Sequence, residues 1–251
     1  MSPGRTNRRI KTSRVGQYER VAPQSGDNVE QRELTDWLLA CGRSWLTTTD
    51  AAAVLGIPES HVAPTLARWR HRGHLFSPTK GLYVAVRPDY RSWGAVPASH
   101  FIDALMGHLG HEYYVALLSA AEVHGFAHQR PQVFQVMTPG RLGARSFGRV
   151  RIQFISDTSM AARPVDVVNT PTGTMRVSSA ETTVLDLVAH PRKSGGLSNV
   201  ATIVGEMLDE GKIDVSRLVD VAGGYPAAVV QRCLCRIGGQ ALRGLPRYSL
   251  G

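Results

Sequence analysis

The sequence predicts an α+β fold: an N-terminal winged helix-turn-helix over residues 27–87, then a mixed α/β unit over residues 98–251. Three observations carry this. Helix, short strand, helix, tight turn, helix and hairpin patterns follow one another between Leu34 and Val84. The stretch Ala51-Ala52-x-x-Leu55-Gly56-Ile57 has small residues where two helices must cross closely, a glycine for the turn and Ile57 to plug its corner. After Pro97, strand-like and helix-like segments are interleaved.

Taken in order, residues 1–26 are polar and poor in large apolar side chains, which predicts a flexible arm. Arg5, Arg8, Arg9, Lys11, Arg14 and Arg20 make it basic. Leu34, Trp37, Leu38 and Cys41 recur at three- and four-residue steps, a helical stripe stopped by Gly42. Trp45-Leu46 is a short apolar piece, and the hydroxyls of Thr47, Thr48 and Thr49 are N-cap candidates for a helix over Asp50–Leu55. A third helix starts at Pro58 or Ser60, with Val62, Leu66 and Trp69 on one face, and ends at Gly73. His74–Phe76 and Leu82–Val84 form the hairpin that follows.

In a helix-turn-helix the second helix of the turn enters the DNA major groove, its N-terminal residues facing base edges. Here these are Glu59, Ser60, His61, Ala63, Thr65 and Arg68. A carboxylate accepts from a cytosine amino group, while His and Arg donate to guanine or phosphate. Thr79 and Lys80 sit at the wing tip, and Arg8 and Arg9 in the arm are further DNA candidates. Pro64 is the objection, since an interior proline removes a hydrogen bond and costs about 3 kcal/mol. A cap at Ser60 would move it toward the first turn.

Residues 88–97 read as a linker with Trp93 as its anchor. Beyond it we expect helices over Ser99–Leu109 and Tyr114–His124, strands over Val133–Thr138, Val150–Ile155 and Thr174–Val177, and a helix opened by Ser178 and Glu181 at capping-box spacing. Helices over Leu197–Leu208, Val215–Ala222 and Pro226–Ile237 complete the chain.

Composition narrows the function. The 29 Lys+Arg exceed the 20 Asp+Glu by nine, which points to a polyanionic partner. Residues 1–30 carry net +3, residues 31–90 net +2 and residues 91–251 net +4. Within the last part, Arg130, Arg141, Arg145, Arg149 and Arg151 fall where no acidic residue lies, between Glu122 and Asp157. They are candidates for contact with DNA or a protein partner, or for solvating a hairpin. The longest run free of Asp, Glu, Lys and Arg is 12 residues, Ser194–Gly205, too short for a membrane span. No apolar segment follows the basic start, so a cytoplasmic chain is expected. Cys41, Cys233 and Cys235 are an odd number in helix-like segments, which argues against a disulfide framework.

No cofactor or metal set is signalled. His108, His111, His124 and His128 lie at helix ends and in loops with no cysteine beside them. Glu210-Gly-Lys212, with Asp186 or Asp166, superficially fits a nuclease, but Leu208–Lys212 reads as a glycine-capped helix end. Gly195-Gly196 and Gly223-Gly224 lie between helices, where no phosphate loop belongs. The residues signal no enzyme.

The runs Tyr113–Gly125, Gln132–Gly140, Val150–Phe154, Met175–Leu187 and Gly195–Leu197, together with the preceding winged helix, resemble the AbiEi family of antitoxins and transcriptional regulators from bacterial abortive-infection systems. Thr182-Thr183 departs from it where a basic residue is expected after the glutamate, and the long basic arm has no family counterpart. The resemblance implies an antitoxin-like C-terminal domain that counters a nucleotidyltransferase-like toxin. It also implies repression of the toxin's operon through double-stranded DNA, at inverted repeats in the chain's own promoter. With no heptads visible, a monomer that pairs on the DNA is expected. The alternative is a ligand-responsive winged-helix regulator without a toxin.

Overall fold

The computed structural model describes residues 34–40, 42–126 and 131–241. The arm, with Arg8 and Arg9, lies outside the described residues, as do Cys41, His128 and Arg130.

The N-terminal elements run α1 (Leu34–Ala40), β1 (Trp45–Thr47), α2 (Thr48–Leu55), α3 (Glu59–His71), β2 (Leu75–Thr79) and β3 (Leu82–Ala85). Capping fixes α2. The Thr47 side chain accepts from the Asp50 backbone N–H, and the Asp50 carboxylate accepts from the Thr47 N–H at 3.0 Å. Gly56, with φ of 63°, closes the helix in the left-handed conformation that glycine adopts without strain. The strand order is β1-β3-β2, all antiparallel. Leu34, Leu38, Leu46, Val62, Leu66, Leu75 and Tyr83 close a small core.

Strand β3 is buried along its whole length because each of its faces meets a different core. Tyr83 and Ala85 join the N-terminal cluster, while Leu82 and Val84 pack with Val96, Phe101, Leu105 and Ile152 of the elements that follow. A continuously apolar run is what a strand covered on both faces requires. Residues 88–97, expected as a linker, contain a 3₁₀ turn over Pro88–Trp93 and bury Ala95 and Val96 in that second cluster.

The remaining elements are α4 (Ile102–Leu109), β4 (Tyr114–Val115), α5 (Leu117–Val123), β5 (Phe134–Thr138), β6 (Arg145–Phe147), β7 (Val150–Ser156), β8 (Val165–Thr170), β9 (Gly173–Ser178), α6 (Ala180–Ala189), α7 (Leu197–Asp209), α8 (Val215–Ala222) and α9 (Ala227–Ala241). The six strands form one mixed sheet, β6-β7-β5-β4-β9-β8. Pairs β5–β7 and β4–β9 are parallel and the rest antiparallel. Alternation sends Val115, Val136, Ile152, Phe154, Met175 and Val177 toward α4 and β3. Tyr114, Met137 and Ile155 face the layer that includes α6 and α7.

Two expectations are corrected. Tyr114–His124 is not one helix: Tyr114 and Val115 are a strand, and the chain turns at Leu117, a fully buried residue with φ of 52°. Gln135 holds this turn, its carbonyl accepting from the Ala116 N–H and its side-chain oxygen from the Leu118 N–H. The cap of α6 is Ser179, one residue later than expected, because Ser178 is still in β9 and its hydroxyl bonds the Thr183 hydroxyl at 2.7 Å.

A polar knot fastens the helical layer to the sheet. Asp186 of α6, fully buried, receives Arg163 Nη1 at 2.7 Å, Tyr225 OH at 2.8 Å and Tyr114 OH at 3.1 Å. The second guanidinium nitrogen donates to Asp157. The guanidinium also lies 4.0 Å from the centre of the Tyr225 ring. Burial pushes the Asp186 carboxyl up to about 6, although Arg163 and the two phenols hold it down. The turn between β6 and β7 is equally constrained. A Cβ on Gly148 would lie 1.9 Å from the Trp93 carbonyl oxygen, and the Arg149 N–H donates to that oxygen at 2.9 Å.

Two outcomes follow from these constraints. Gly148→Ala should destabilise the fold by about 2 kcal/mol or more, whereas exposed Ser146→Ala should stay within about 0.5 kcal/mol. Urea denaturation of both reads this, and equal midpoints would remove the close approach to Trp93 as a constraint. Asp186→Asn leaves the buried Arg163 charge with Asp157 alone and should cost about 3 kcal/mol at pH 7. Because the folded carboxyl titrates near 6 against an ordinary 3.8, the native state holds the proton more tightly. That group's contribution is therefore greatest below about pH 4 and is lost as pH rises through about 6. Stability across this window should fall in the parent chain and flatten in Asp186→Asn; parallel curves would show that Asp186 is not the titrating group.

Candidate nucleic-acid interface

Helix α3 packs Val62 and Leu66 inward and leaves Glu59, Ser60, His61, Ala63, Pro64, Ala67, Arg68, Arg70 and His71 exposed. It starts at Glu59, with Pro58 as its extended N-cap. Ser60 is therefore not the cap, and Pro64 sits inside the helix. The lost hydrogen bond would have been accepted by the Ser60 carbonyl, on the exposed first turn, where water replaces the donor.

The expected contact residues are not equivalent. Ser60, His61 and Arg68 are exposed on the outer face of the helix. Glu59 is tied down, one carboxylate oxygen accepting the Thr49 hydroxyl at 2.6 Å, which links the first turns of α2 and α3. Thr65 is half-buried. On the hairpin, the Thr79 carbonyl accepts from Ser77 Oγ at 2.7 Å, while the Lys80 side chain is exposed. His108 Nε2 of α4 lies 3.0 Å from the Lys80 carbonyl, so the hairpin tip rests on the following elements.

The internal arginines are not gathered into one patch. Arg145 Nη1 donates to the Pro78 carbonyl at 2.6 Å, so β6 clasps the β2–β3 hairpin through this residue. Aromatic packing seals the contact: Phe76 lies 5.1 Å from Phe101 and 5.5 Å from Phe147, centre to centre. Arg145 pairs in register with Ile152, and Arg151 with Ser146, so those two arginines leave opposite faces of the sheet. Arg149 is exposed at the tight turn and Arg141 in the loop before β6. The clasp is what sequence reasoning missed. Phe76, Phe101 and Phe147 were its only signal, and aromatic residues so far apart in sequence do not announce that they meet.

The residues weighed for other chemistry are placed as follows. Glu210 is the C-cap of α7, and Gly211 follows in the left-handed conformation. Asp186 is consumed in the buried knot. Asp166, Glu181, His124, Lys212 and Arg217 line a crevice of about 390 Å³ between α6, α8 and β8. Val123 and Ala180 are its apolar lining, so it lacks the wall that an enclosed small-molecule site needs. Glu181, buried there, accepts from Ser179 Oγ and the Asp214 N–H.

Over 89% of its length the chain superposes on 83% of the crystal structure of the RV2827C protein from Mycobacterium tuberculosis, with a TM-score of 0.59 at 18% identity. This is a likeness of fold. No curated protein matches the chain. Residues 114–235 match the AbiEi antitoxin C-terminal domain, a span from β4 into α9 that includes the buried knot. Those residues are thus an antitoxin C-terminal domain of the AbiEi type.

Proposed function

We propose that this antitoxin represses its own toxin–antitoxin operon by binding double-stranded DNA. Residues 27–87 act as a winged helix, with α3 in the major groove at inverted repeats of its promoter. Residues 98–251 counter a cognate nucleotidyltransferase-like toxin. The exposed, basic face of α3, standing after a short turn from α2 and beside a hairpin, is the observation that carries the DNA half. The match over residues 114–235 carries the toxin half. Ser60, His61 and Arg68 read bases or phosphates, Lys80 meets the backbone beside them, and the arm with Arg8 and Arg9 adds phosphate contacts. Glu59 positions α3 through Thr49 and has one carboxylate oxygen left for a base. Arg141, Arg149 and Arg151 remain for flanking DNA or toxin, while Arg145 holds the hairpin.

Fluorescence anisotropy on the chain's own upstream DNA and on scrambled DNA, at several salt concentrations, tests the reading. Affinity should favour the upstream DNA, and log affinity should fall by about 0.9 per phosphate neutralised as log salt rises. Arg68→Ala should weaken specific binding by about 1–3 kcal/mol. Equal affinity for both DNAs would refute operator recognition. For the toxin half, co-expression with a neighbouring nucleotidyltransferase-like gene should restore growth, and continued arrest with a folded antitoxin would refute it.

A further inference from the structure

The two edges of the large sheet are built differently. At one, β6 is three residues long and clasped to the hairpin by Arg145. At the other, β8 is six residues long, and among the described residues no strand lies beyond it. Its register with β9 runs without a bulge from Val165↔Ser178 to Thr170↔Gly173. It contains no proline or lysine, and its Val167 is 68% exposed, the most exposed large apolar side chain described. A valine-rich edge without bulge, proline or lysine, whose one charge is Asp166, has few of the usual guards against strand addition.

The hydrogen-bond phase of this edge can be assigned. The Ser179 N–H donates to the Pro164 carbonyl at 3.2 Å, one step before the first paired residues. Bonded and non-bonded pairs alternate in an antiparallel ladder. Asp166, Val168 and Thr170 therefore bond β9, and Val165, Val167 and Asn169 turn their N–H and C=O groups to the open side. An added antiparallel strand must set its own outward residues against these three.

We propose that two copies of this chain pair through β8 before they meet DNA, in place of the monomer expected from the lack of heptads, antiparallel, with Val167 against Val167 on the two-fold axis. The strand is complementary to itself in this register. Val165 meets Asn169, Asp166 meets Val168, and the three outward pairs each exchange two backbone hydrogen bonds. Centring on Asp166 would oppose two carboxylates, and centring on Val168 would set Val167 against an amide and shorten the overlap. The two sheets join across the axis and cover the exposed valine. The inference draws on the proposed function in one respect, that an inverted repeat takes two copies related by a two-fold axis.

Oxidative cross-linking of the full chain without DNA tests it. Paired α-carbons in a bonded antiparallel pair lie about 5.5 Å apart, within disulfide reach, so Val167→Cys should give at least ~10-fold more dimer than the wild-type chain with its own thiols. Asn169→Cys, on the same strand and face, places its two thiols about 13 Å apart in this register and should stay monomeric. Asn169→Pro removes an outward donor without breaking the ladder to β9 and should abolish the wild-type dimer in sedimentation with an unchanged circular dichroism spectrum. Equal cross-linking of both cysteine variants, or of neither, would overturn the proposal, as would a wild-type chain that sediments as a monomer. Cross-linking at Val167 with no preference for the upstream DNA would sink operator binding and leave the dimer standing; preference for that DNA without cross-linking would do the reverse.

Discussion

Burying the Arg163–Asp186 pair is the constraint around which the antitoxin domain is arranged. Two charges withdrawn from water cost several kcal/mol each, and only close pairing with full hydrogen bonding offsets that. Here the partners come from places far apart in sequence: Tyr114 in a central strand, Asp157 after β7, Arg163 before β8, Asp186 in α6 and Tyr225 ahead of α9. Asp186 is satisfied only when all of these arrive together. An apolar cluster would tolerate several relative placements of helix and strand; a carboxylate with three donors fixes one.

From that knot the geometry passes outward through β4. Tyr114 enters the knot on one face of the sheet, and Val115 enters the second core on the other. That second core also holds Leu82 and Val84 of β3, so the hairpin and the antitoxin domain bury the same apolar surface. Arg145 and the Phe76, Phe101 and Phe147 rings close the remaining gap. Moving the hairpin against the domain would expose this surface, at roughly 25 cal/mol for each Å² of apolar area. The N-terminal elements are therefore oriented by the antitoxin domain. Any partner that displaced β6 or the Gly148 turn would act on the hairpin as well.

How far the sequence could be read depended on whether a local signal outweighed distant partners. Helix α8 runs over the expected residues because Asp214 caps it and its apolar face is strongly one-sided. Helix α2 starts at Thr48, two residues earlier than Asp50, because Thr47, one of three candidate caps, has the reciprocal partner in Asp50. Tyr114–His124 misled because its break comes at Leu117, a leucine in a conformation that glycine or asparagine would normally announce, held by Gln135 from another strand. Strands β6 and β8 went unread: one is three residues long, two of them arginine and serine, and the other carries Asp166 and Asn169 among its valines. Of the contact residues, exposure on α3 followed from helical period. The engagement of Glu59 by Thr49 and of Arg145 by Pro78 depended on the turn and the tertiary fold.

The arginine-rich segment shows why composition alone misplaces function. Its lack of acidic residues suggested one basic surface, yet strand alternation sends Arg145 and Arg151 to opposite faces, and a backbone carbonyl takes the first of them. A guanidinium used for clasping closes the β6 edge as a by-product, since the hairpin then lies beside it. Among the described residues the opposite edge has no such device, and its charge is a single aspartate that faces a valine in the symmetric register. The two edges of the sheet are therefore not equivalent: one is committed to the chain's own N-terminal elements through the Arg145 clasp, and among the described residues the other has no strand beyond it and remains able to accept one.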